Sequence, residues 1–67
     1  MKQAFQIKVK DFVERTGMTI SAICKEVNYS QNSKVRKYVY DDNFNKDLEL
    51  KTIERISNFI DGYEHTK

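Results

Sequence analysis

Three cations, Lys34, Arg36 and Lys37, fall within four consecutive residues, directly behind the polar run Gln31, Asn32 and Ser33. On a helix turning about 100° per residue, Val35, Tyr38 and Val39 share one direction, and Ser33, Lys37 and Tyr40 point nearly opposite. Lys34 and Arg36 then lie on the two flanks. An outward ammonium can reach the acceptors of guanine, and a hydroxyl can donate or accept at a base edge. Cations on the flanks can reach phosphates on either wall of a groove. Gln31 and Thr19 stand near expected helix N-termini, where backbone N–H groups favour phosphate oxygens. Tyr40 points outward and fits either solvent or a phosphate contact. Together this is the chemistry of gripping double-stranded DNA.

Other chemistries find little to work with. Cys24 is the single cysteine, which excludes an internal disulfide and a cysteine-based zinc site. Its place on the apolar stripe of a helix reads as a small core residue. His65 stands alone near the end, where a histidine is solvated, and no nucleophile–base pair or phosphate-binding glycine loop is present. The expectation is therefore no enzyme, no cofactor and no metal. No apolar run approaches the roughly 20 residues of a membrane span, and nothing resembles a signal peptide, which points to a cytoplasmic protein without a membrane partner. The formal net charge is only +2, so the partner must be inferred from where the charges lie. Lys25, Lys34, Arg36 and Lys37 fall in the central stretch, and Asp41, Asp42, Asp47 and Glu49 just behind it.

The elements that must position these residues follow from apolar spacing. The chain has 67 residues with no proline and two glycines, and no alternating run, a composition of helices rather than sheets. Phe5, Val9, Phe12 and Val13 form one stripe of a first helix, residues 5–15, ended by Thr16 and Gly17. Ile7 falls off that stripe, as an exposed residue or a second packing surface. Thr19 caps a second helix reaching Val27, apolar at Ile20, Ile23, Cys24 and Val27. Asn28 tolerates the left-handed conformation that ends it. A third helix covers residues 31–40, capped by Ser30 or Ser33. Residues 41–46 make a loop. Asp47 opens a fourth helix, with Leu50, Ile53, Ile56 and Ile60 on one stripe and Leu48 and Phe59 beside it. Gly62 ends that helix, and residues 63–67 form a frayed tail. The fold class is all-α, a single small bundle of four to five helices. Phe12, Ile23, Val27, Val35, Val39, Ile53 and Ile56 are its expected buried residues, with Met18 a contact between helices and Tyr38 turned inward.

Ile23, Cys24, Asn28, Tyr29, Ser30 and Val35 resemble the framework of the lambda-repressor-like helix-turn-helix domains of phage repressors and Cro proteins. In that family a Leu-Ala pair on the second helix, a glycine four residues later, an apolar residue and a serine lead to an Ile or Val that anchors the recognition helix. Ile23-Cys24, Asn28, Tyr29, Ser30 and Val35 occupy those places, and the helix over residues 47–61 matches the family's supporting helix. Asn28 replaces the usual glycine, and Ser30 and Val35 are one residue further apart than is common, so the recognition helix is expected to start late or to be shifted. Ile20 is apolar where the family often has a polar phosphate contact. The resemblance implies base contacts three and two residues before the anchor and two after it, at Asn32, Ser33 and Lys37. Asparagine there is suited to adenine. The helical wheel independently selects Ser33 and Lys37. Phosphate contacts would fall to Thr19, Gln31, Lys34, Arg36 and Tyr40. The chain is also similar to the N-terminal domain of Mu B-type transposition ATPases.

Three functions are compatible with this reading. One is a sequence-specific transcriptional regulator of phage or mobile-element type, acting as a homodimer on half-sites one helical turn apart. Another is a non-specific DNA-binding module of a larger transposition protein. The third is a domain that uses the same fold to hold a protein partner. Ile7 and Phe59, exposed together, would favour the third.

Overall fold

Apolar spacing at helix period runs through the chain, and the computed structural model, which describes residues 2–65 apart from the side chain of residue 65, resolves it into four helices. They are α1 (Lys2–Thr16), α2 (Ile20–Glu26), α3 (Asn32–Tyr40) and α4 (Leu50–His65). No strand occurs among the described residues. Helices α1 and α2 each pack against both α3 and α4. The core joins Phe5, Val9 and Phe12 of α1 to Ile20, Ile23 and Cys24 of α2, Val35, Tyr38 and Val39 of α3, Leu48, and Ile56 and Ile60 of α4. Of the expected core, Phe12, Ile23, Val35, Val39 and Ile56 are buried, while Val27 and Ile53 are half-buried at its margin. Met18 packs against the same cluster.

Local chemistry sets the helix ends. Gly17 adopts φ 75°, and its N–H donates to the Val13 carbonyl at 2.9 Å, closing α1 with a left-handed residue. The Thr19 hydroxyl oxygen accepts from the Ala22 N–H at 3.1 Å, the cap expected for α2. Asn28 adopts φ 59°; its N–H donates to the Lys25 carbonyl and the Tyr29 N–H to the Cys24 carbonyl, the paired bonds of a Schellman ending. Asparagine thus serves where glycine is usual.

The third helix begins between the starts that Ser30 and Ser33 imply. Gln31 is the N-cap, and no side chain caps the first turn. Its far end is held from outside: Gln6, buried on α1, donates through Nε2 to the Tyr38 carbonyl at 2.9 Å. The Lys2 ammonium donates to the Phe44 carbonyl at 3.1 Å and sits 4.9 Å from the Tyr38 ring centroid. Asp41 belongs to the turn after α3. Its carboxylate accepts from the Asn43 N–H at 2.9 Å, an Asx-turn that fixes the chain direction beyond the helix.

The fourth helix departs from its expected limits at both ends. It starts at Leu50 rather than Asp47, because the segment before it carries Leu48 into the core and leaves the Glu49 carbonyl to accept the first helical bond from Ile53. Leu50 consequently leaves the inward stripe and is 61% exposed. Gly62 does not end α4, and residues 63–65 are helical rather than frayed. Tyr63 packs edge-on against Phe12 at 5.2 Å, and Glu64 pairs with Arg15, so tertiary contacts carry the helix past glycine. Thr66, Lys67 and the His65 side chain lie outside the described residues. Phe59 is half-buried against Phe12, so the joint exposure with Ile7 does not arise.

Tyr29, in the link between α2 and α3, offers a test of this packing. Its hydroxyl is buried and has no hydrogen-bond partner among the described residues, and burial, then Glu49 and Cys24, push its pKa up. Tyr29→Phe is expected to keep or raise the urea midpoint, because it removes a desolvated polar group without opening a cavity. A loss of more than about 1 kcal/mol would instead assign the hydroxyl a net stabilising bond.

Candidate nucleic-acid interface

Helix α3 is fixed to the core by Val35, Tyr38 and Val39, so its opposite side is available to solvent. Beside its first turns lies a cleft of about 440 Å³. Five residues selected from the sequence share it: Gln31, Asn32, Ser33, Lys34 and Lys37. Ser30 adds a hydroxyl, and Phe44 and Lys46 from the segment after α3 form the remaining lining. Three ammonium groups and the first turn of a helix therefore border one concavity. No acidic residue occupies that first turn. Both its N–H groups and its dipole favour an anion.

The individual placements differ in kind. Ser33, Lys37 and Gln31 are exposed, and Lys34 is half-buried. Asn32 is half-buried, with its Nδ2 donating to the Ser21 hydroxyl at 3.0 Å. That bond ties the start of α3 to α2 and uses one amide donor of Asn32, leaving its oxygen as an acceptor. Arg36 is exposed on α3 but does not line the cleft. Thr19 lies outside the cleft too, its hydroxyl oxygen engaged in capping α2. Tyr40 is 48% exposed at the far end of α3, with the Lys10 ammonium 5.7 Å from its ring centroid. The expected contacts thus divide into a cleft group and three residues, Arg36, Thr19 and Tyr40, that do not line it.

Lys46, Phe44 and Lys10 escaped the sequence reading. Lys46 sits in a segment that also holds Asp41, Asp42 and Asp47, where neither period nor charge run marks it. It borders the cleft from the segment after α3, where Asp41 forms an Asx-turn and Lys2 holds the Phe44 carbonyl. Lys10 reaches Tyr40 because α1 packs on α3.

The rest of the surface holds little competing chemistry. Burial pushes the Cys24 thiol pKa up, which keeps it neutral inside the core. Burial, then Asp47, do the same for the Tyr38 phenol. Among the described residues no cluster of three or more His, Cys, Asp or Glu side chains is placed to hold a metal ion. No described helix is long and apolar enough to cross a membrane. Comparisons with protein-family models, curated proteins and solved structures return no match to this chain.

Proposed function

We propose that the chain is a DNA-binding transcriptional regulator of phage or mobile-element type, with α2, its link and α3 acting as a helix-turn-helix. The observation that carries this reading is the cleft at the start of α3, where Lys34, Lys37 and Lys46 surround the polar side chains of residues 30–33. Asn32, Ser33 and Lys37 read base edges in the major groove. Lys34, Arg36, Gln31, Thr19 and Tyr40 contact phosphates along its walls. The left-handed Asn28 supports the resemblance to lambda-repressor-like domains, because it supplies the turn their glycine makes. One short recognition helix contacts few bases, so two copies act together on half-sites about one helical turn apart.

The test is a fluorescence titration on a random duplex and on a sequence selected from a random pool, each across a salt series. Binding to both is expected to weaken linearly on a log–log plot, by a slope of about −0.9 for each phosphate neutralised. The selected sequence is expected to bind about 10³-fold or more tightly. Equal affinity for both duplexes would instead favour a non-specific module of a transposition protein. Absence of salt-dependent duplex binding would leave the fold to a protein partner and overturn the proposal.

A further inference from the structure

Lys34, Lys37 and Lys46 border the cleft at α3, and none of them forms an ion pair among the described residues. No acidic residue lines the cleft. Lys46 differs from the other two, because it comes from the segment after α3 and not from the helix. That segment is fastened at several points. The Asn43 N–H donates to the Asp41 carboxylate at 2.9 Å, and the Phe44 N–H to the Asp41 carbonyl at 3.1 Å. The Phe44 carbonyl accepts from the Lys2 ammonium of α1 at 3.1 Å, and the Phe44 side chain packs against the core. Leu48 is buried. Lys46 therefore stands two residues from an anchor on either side, with its own side chain exposed. The acids nearby do not cancel it: the Asp41 carboxylate is engaged with Asn43, and Asp42 and Asp47 do not line the cleft.

We infer that Lys46 contacts a backbone phosphate from outside the helix-turn-helix, and that Lys2 is the residue that positions it; this rests on the DNA-binding reading proposed above. Phosphate contacts fix the register of a protein on the duplex, and a cation on a fastened segment loses less freedom on binding than one on a loose loop. Lys2 does not line the cleft, so its influence passes through the Phe44 carbonyl and not through DNA. Its ammonium also lies 4.9 Å from the centroid of the Tyr38 ring, and the Tyr38 carbonyl accepts from Gln6. Two residues of α1, one turn apart, thus hold α3 and the non-helical border of the cleft in one arrangement.

The test is a fluorescence titration of the parent and its variants on the random and the selected duplex, across a salt series. Lys46→Gln is expected to reduce the log–log salt slope by about 0.9, the share of one phosphate, and to weaken both duplexes by the same factor, roughly fivefold at 0.15 M salt. Lys46 is exposed, so this variant keeps the helical circular dichroism of the parent. Lys51→Gln makes the same charge change at an exposed residue of α4 outside the cleft and is expected to keep the parent's slope. Lys2→Met retains an apolar stem beside Tyr38 but removes the donor to Phe44. It is expected to weaken binding by itself and to add no loss to Lys46→Gln, because both act on one contact. Lys2→Arg, which keeps a donor, should bind as the parent does. A parent without salt-dependent duplex binding would overturn the DNA-binding reading and this inference with it. A parent that binds, with Lys46→Gln unchanged in affinity and slope or matched by Lys51→Gln, would overturn this inference alone. Additive losses for Lys2→Met and Lys46→Gln would overturn the positioning role of Lys2.

Discussion

Phe12→Ala is expected to unfold a large fraction of the molecules at room temperature. Phe12 is fully buried, and its ring meets Phe59 edge-on at 6.0 Å and Tyr63 edge-on at 5.2 Å. Truncating such a residue removes its transfer free energy and leaves a cavity, a cost of about 3–5 kcal/mol. A chain of 67 residues has a total stability of only about 3–10 kcal/mol at the usual 0.05–0.15 kcal/mol per residue. Much of that margin disappears with one ring. Urea unfolding followed by far-UV circular dichroism should show a midpoint far below the parent's, with the last turn of α4 freed because Tyr63 has lost its support. Ile7→Ala, on the exposed side of the same helix, should leave the midpoint within about 0.5 kcal/mol of the parent. Equal midpoints for Phe12→Ala and the parent would mean that α1 and α4 do not share this core.

The second large effect concerns the cations of α3. Lys37 lines the cleft and projects from the side of the helix opposite Val39. Under the proposed function, Lys37→Ala should relax preference at one or two base positions, costing about 1–3 kcal/mol if the contact is bidentate and less if single. Lys34→Ala and Arg36→Ala should weaken all sequences alike and reduce the salt slope by about one each. The measurement is a titration of the three variants on two duplexes at several salt concentrations, with folding confirmed for each. If all three behave as lost phosphate contacts, the module is non-specific. Unchanged affinity and slope for all three would remove α3 from any contact with DNA.

Helix positions and the core were legible because apolar residues recur at helix spacing and because Gly17, Thr19 and Asn28 are residues whose backbone or side-chain chemistry ends or begins a turn. The start of α3 was not, since Ser30 and Ser33 are both good caps and the chain uses Gln31. The end of α4 was misread for a related reason. Glycine signals an end locally, yet Tyr63 gains more by packing on Phe12 than Gly62 loses in the helix. Of the candidate contacts, those within one turn of each other on α3 could be grouped on a wheel, and they do share a cleft. Lys46 could not, because its place depends on how the chain turns back at Asp41, and a helical period carries no information across a loop. Gln6 was equally hidden: a polar residue beside Phe5 looks like surface until the Tyr38 carbonyl stands opposite it.

That bond gives α3 two unequal ends. The Tyr38 carbonyl is held by a side chain from α1, while at the other end no side chain caps the first turn. The first amides of the helix have no carbonyl acceptor within it. In native-state hydrogen exchange, the amide protons of Asn32 and Ser33 should therefore trade with solvent far faster than those near Val39, and local opening should begin at the N-terminal end. A ligand that accepts from those amides closes the helix as it binds. Its arrival would be recorded as slowed exchange at residues 32 and 33, with the C-terminal half of α3 already slow beforehand.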